Sequence, residues 1–173
     1  SGNWNKGFDI YEKFDLLLGS NEYSEQFEFK YIGNLPDNFY FKNTQVVKPL
    51  SGLKLATELK KSHVYLTGSL NEPSGNHHIE GALCGLPILF VASGALPEYC
   101  NDFGVSFTKD NFPEKLIEIK NSYDTLKRNL NNYPFKAEIM CSEYEKLFTE
   151  IINERIELKN IIIKKNLIHR LIL

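Results

Sequence analysis

Two glutamates, Glu72 and Glu80, stand eight positions apart in the stretch Asn71-Glu72-Pro73-Ser74-Gly75-Asn76-His77-His78-Ile79-Glu80-Gly81-Ala82-Leu83-Cys84-Gly85-Leu86-Pro87. An ionised carboxylate offers only acceptors, which suits the vicinal hydroxyls of a sugar or a ribose. Two separated glutamates can therefore hold two different hydroxylated groups. Between them, Gly75 lets backbone approach a ligand closely, while Pro73 fits the first turn of a helix and Ser74 or Asn76 can cap one. The first-turn amides of such a helix carry partial positive charge and favour a phosphate or a polarised hydroxyl. Adjacent His77 and His78 point about 100° apart on a helix, which suits no shared metal ion; they line the pocket, or one of them packs.

The flanking segments place this stretch. An apolar run at residues 63–67 feeds it and a second at 87–91 leaves it, with Gly85 at a left-handed helix stop and Pro87 just beyond. The reading is a strand, a short helix over about 76–84, and a strand. Open parallel sheets bind ligands at the carboxyl ends of their strands, so Glu72 falls in a loop at the crevice mouth and Glu80 inside the helix. Each residue taken alone is as well explained by a solvated charge or by punctuation; the agreement of several positional rules is what favours a site.

The rest of the chain extends the same alternation. Residues 8–18 form a helix by their apolar spacing, 27–33 and 44–47 read as strands, Ser51 caps a helix to about 61, and 104–107 is a last short strand. Ser93-Gly94-Ala95-Leu96-Pro97-Glu98 repeats the loop-to-helix logic, with Glu98 either a secondary site residue or a complement to the helix dipole. Two helices, about 112–131 and 135–153, read as the cover of the sheet. The expected fold class is α/β, a Rossmann-like, doubly wound parallel sheet.

The chain has 173 residues, 42% of them hydrophobic, enough for one sizeable core with an appendage. A formal net charge of -2 supplies no global field for nucleic acid or membrane, and no basic aromatic patch is present. Cys84, Cys100 and Cys141 match no zinc spacing, and a reduced, cytoplasmic setting is the simplest account. Neither a leader-like start nor a run of 18 apolar residues occurs.

The pattern Glu72-Pro73-x-Gly75-x4-Glu80-Gly81-x2-Cys84-Gly85-x-Pro87 resembles the donor-binding signature of the retaining glycosyltransferases of family four, over about residues 3–150. That resemblance implies the C-terminal, donor-binding half of a type B glycosyltransferase, acting without a metal or other cofactor on a UDP- or GDP-sugar donor. Lys6 and Gly7 match the lysine and glycine that contact the donor diphosphate. By the same resemblance Glu72 takes the catalytic position at the sugar. Ser74, Gly75 and Asn76 line the sugar with their amides, Glu80 meets the ribose, and the region of Leu50 flanks the base pocket. Asn3 looks like a polar loop residue of some branches. Two departures stand out: Ser1 replaces an arginine, leaving the diphosphate to Lys6 and helix amides, and Ala95 replaces a glycine of the Gly-Gly-x-Pro-Glu segment.

The resemblance also implies a strand before residue 1 and an acceptor-facing N-terminal domain, so the chain is expected to be a fragment that transfers no sugar unaided. On that division residues 1–153 form the nucleotide-sugar domain and 154–173 a basic, apolar tail. The tail could touch an anionic membrane surface, pack on the other domain or be poorly ordered. The alternative function is a non-catalytic nucleotide-sugar-binding subunit.

Overall fold

The computed structural model describes residues 4–171, with side chains as far as residue 160. Ser1, Asn3 and the last two leucine-isoleucine positions therefore lie outside the described residues, as do the side chains of the basic tail beyond residue 160. The chain forms two compact units that divide after Tyr133.

The first unit runs through a 3-10 turn (Trp4–Lys6), α1 (Phe8–Leu17), a short α2 (Asn21–Ser24), β1 (Lys30–Ile32), β2 (Gln45–Val47), α3 (Gly52–Leu59), β3 (Tyr65–Thr67), α4 (Asn76–Leu83), β4 (Ile88–Val91), α5 (Leu96–Cys100), β5 (Gly104–Phe107) and α6 (Phe112–Asn129). All pairing is parallel. β4 lies between β3 and β5, with Leu66 opposite Leu89 and Leu89 opposite Val105. Its Ile88, Leu89 and Phe90 are buried, as a strand covered on both faces requires.

Where one sheet was expected there are two, because β1 pairs only with β2. Among the described residues β1 and β3 each keep one unpaired edge. The strand expected over 27–33 shrinks to Lys30–Ile32 for the same reason: only the three positions facing β2 have a ladder partner. What joins the two sheets is α1. Its Tyr11 packs on Tyr31 of β1 and on Phe29 just before it, and Phe14 stacks on Phe29 at 5.1 Å while meeting Phe112 of α6 at 5.6 Å. Ile10, Phe14 and Leu18 share one core with Leu89, Val105, Phe107, Leu116 and Ile119.

The second unit holds α7 (Ala137–Leu171), one helix that passes without a break through residue 154, where the sequence reading placed a boundary. Met140, Tyr144, Leu147, Phe148 and Ile151 are exposed on it. No helix among the described residues is long and apolar enough to cross a membrane.

Candidate functional site

The segment from β3 to α4 is held between two neighbours. On one side, the amide of Leu70 donates to the Asn5 carbonyl at 2.9 Å, and Gly7 lies so close to Gly68 that a Cβ on Gly7 would overlap the Gly68 backbone. Gly7 also has φ 91°, in the left-handed region where a side chain is strained. Tyr11 adds a third tie, its buried hydroxyl accepting the Gly68 amide at 3.3 Å. Burial pushes that phenol up to about 12. On the other side, Ala95 donates its amide to the Glu72 carbonyl at 2.8 Å, and the Asn71 amide donates to Ser93 Oγ at 2.9 Å.

These ties bring Lys6 to Glu72. Lys6 Nζ sits 2.6 Å from Glu72 Oε2, and Ser69 Oγ donates to the same oxygen at 3.1 Å. His77 Nε2 is 3.4 Å from it, close enough for an ion pair once the ring is charged but making no hydrogen bond. The Lys6 ammonium holds the Glu72 carboxyl below its ordinary range, against the opposing effect of burial. For His77 burial dominates and pushes the imidazole down, with the Glu72 charge pulling the other way.

The residues singled out in the sequence fall into two groups. Lys6, Gly7, Glu72 and Gly75 come together, for the position of a Cβ on Gly75 is 2.8 Å from the Glu72 carboxyl carbon. Glu72 lies in the loop between β3 and α4, is 7% exposed and has its carboxylate paired with the half-exposed Lys6. Ser74 is exposed, its hydroxyl 3.4 Å from that of Tyr99. α4 opens at Asn76 with Gly75 as N-cap, and no side chain caps it; neither Ser74 nor Asn76 serves, nor does the Ser51 hydroxyl cap α3. Glu80 and Glu98 are exposed on α4 and α5, and neither carboxylate makes a hydrogen bond or ion pair with a described residue.

Three participants were not singled out beforehand. Tyr65, Ser69 and Tyr99 look like ordinary strand, loop and helix residues in sequence, and only the spatial closure of the loop brings them to the glutamate and histidines. His78 is wholly buried against Tyr99, with both ring nitrogens lacking a hydrogen bond, and burial lowers its pKa to about 4. Among the described residues, no group of three or more His, Cys, Asp and Glu is placed to hold a metal ion.

No protein-family model and no curated protein matches the chain. Solved structures do. The chain superposes on a pneumococcal O-GlcNAc transferase, GtfA, in complex with UDP and GlcNAc, with a TM-score of 0.60 and 14% sequence identity. The fold is glycosyltransferase-like. The similarity covers 87% of this chain and 34% of that one, so the chain spans about a third of the length of the transferase it matches.

Proposed function

We propose that this chain is the nucleotide-sugar-binding part of a retaining glycosyltransferase, in which Lys6 meets the donor diphosphate, Glu72 the transferred sugar and Glu80 the ribose. The observation that supports it most is the convergence of Lys6, Glu72 and the uncapped first turn of α4 past the end of β3. A half-exposed ammonium next to free helix amides suits a diphosphate. When the bond from the anomeric carbon to the diphosphate oxygen breaks, its electron pair leaves with the phosphate. On this reading Lys6 and those amides meet the growing negative charge. Glu72, already anionic and buried, suits the positive charge left on the sugar. Glu80, exposed and unpartnered, is free to accept two ribose hydroxyls. That the neighbouring transferase carries UDP supports a nucleotide-sugar donor.

The test is calorimetric titration of UDP and GDP into the protein. One of them should bind, and Lys6→Ala should weaken that binding by about 1.5–3 kcal/mol, the range for a hydrogen bond to a charged group. Absence of binding by both nucleotides, or equal binding by wild type and Lys6→Ala, would refute the reading.

A further inference from the structure

One carboxylate oxygen, Glu72 Oε2, is shared by Lys6 at 2.6 Å, Ser69 at 3.1 Å and His77 at 3.4 Å. The pair Lys6–Glu72 is asymmetric: 43% of the lysine side chain is exposed against 8% of the glutamate's. Of the two, the ammonium is the one able to follow a ligand outward. Once it has gone, Glu72 is a buried carboxylate without a counter-ion, a costly state. The nearest relief is a proton on the ring 3.4 Å away.

We propose that His77 is a positioning residue of the donor site, which takes up a proton as Lys6 passes from Glu72 to the diphosphate and so holds Glu72 in place for the sugar. This rests on the donor-binding reading above. The surroundings of the ring fit the role. Lys6 faces it from the 3-10 turn and disfavours its charge; Glu72 faces it from the loop and favours it. Tyr65 of β3 stacks on it at 6.0 Å with its hydroxyl 3.4 Å from Nδ1, and burial keeps that phenol protonated. His78 on the same helix lies edge-on at 5.0 Å and is itself neutral, so it adds no charge. Removing Lys6 thus removes an opposing charge and unmasks the favouring one. Because the bound state has the higher pKa, donor binding takes up a proton, and affinity falls as pH rises through that pKa.

Two measurements test this. In the first, the His77 ring is titrated by NMR in wild type, Lys6→Met and Lys6→Met/Glu72→Gln, without ligand. The single variant should raise the His77 pKa by roughly one unit or more, and the double variant should abolish the rise. An unchanged pKa in Lys6→Met would overturn the proposal whether or not any nucleotide binds. In the second, UDP and GDP are titrated near pH 7 in buffers of different ionisation enthalpy. Proton uptake is expected in wild type and not in His77→Gln; binding without uptake in wild type would equally overturn the proposal. If neither nucleotide binds while the NMR shift is present, the donor reading fails and the diphosphate with it as trigger, whereas the Lys6–Glu72–His77 coupling stands.

Discussion

Gly94 rests directly on the backbone of Glu72. Its φ is 60°, and a Cβ built on it would overlap the Glu72 amide nitrogen and carbonyl oxygen. Neither atom can yield without moving the loop that carries the glutamate. Gly94→Ala should cost about 1–3 kcal/mol, from left-handed strain plus displaced backbone. Gly52→Ala is the control: φ is 55° there, but nothing lies within 4 Å of the added carbon. Only strain then remains, about 1 kcal/mol. Urea denaturation of the two variants checks the contrast, and equal losses would mean that the contact at Glu72 is not tight.

Asp15, buried at 4% exposure, ties the loop before β2 to α1. It accepts the amides of Lys42 and Asn43 at 2.9 and 2.8 Å and the Thr44 hydroxyl at 2.7 Å. Asp15→Ala leaves three donors without their acceptor and should destabilise the fold by about 2–4 kcal/mol, judged from charge-assisted bonds of about 1.5–3 kcal/mol apiece partly recovered by water. Thermal unfolding followed by circular dichroism reads this out.

Glu58 makes stability depend on acid. Lys30 and Lys61 hydrogen-bond its two carboxylate oxygens and lower its pKa from 4.5 to about 2. The folded pKa lies below the unfolded one, so the contribution is fully present above pH 4.5 and is lost as pH falls toward 2. The gap in unfolding midpoint between wild type and Glu58→Gln should therefore close over that interval. It should also narrow with added salt, through the exposed Lys61 more than through the part-buried Lys30.

Glu72 and Glu80 should respond oppositely to amidation. Glu80→Gln removes an exposed, unpartnered charge, so stability should move by no more than about 0.5 kcal/mol. Nucleoside diphosphate binding should weaken, and much less so for a 2'-deoxy analogue. Glu72→Gln removes the group that competes with the diphosphate for Lys6. Nucleotide affinity should then hold or rise, because the diphosphate no longer has to draw Lys6 away from a buried carboxylate. On the proposed reading, the same change in a longer chain that transfers the sugar should cut kcat in a steady-state assay, as loss of an interaction made only in the transition state does. Calorimetry of both variants with both nucleotides separates these outcomes.

Much of this was readable along the chain. Residues 76–84 read as a short helix, from Pro73 and the Ser74 or Asn76 cap at its start and from Gly85 and Pro87 at its end; α4 spans Asn76–Leu83 with Gly85 at φ 82°, though no side chain caps it. β5 stands at 104–107, where a last short strand was expected, and the strand–helix–strand unit around Glu72 is parallel. These are local matters: a glycine stop, a proline and a run of apolar residues act within a few positions of themselves. The types of residue at the site were likewise visible, since a carboxylate, a lysine and a glycine advertise their chemistry.

The meeting of those residues was not. Lys6 and Glu72 are 66 positions apart, and the family resemblance implies different parts of a ligand for them. Their contact follows from the fit of Gly7 on Gly68 and of Gly94 on Glu72, close approaches between backbones that no periodicity encodes. The division into two sheets and the unbroken course of α7 belong to the same class. Strand pairing depends on which edges find partners. Residue types set what chemistry this chain can offer; tertiary packing decided that its lysine is already spent on its glutamate, with a part-buried histidine beside them.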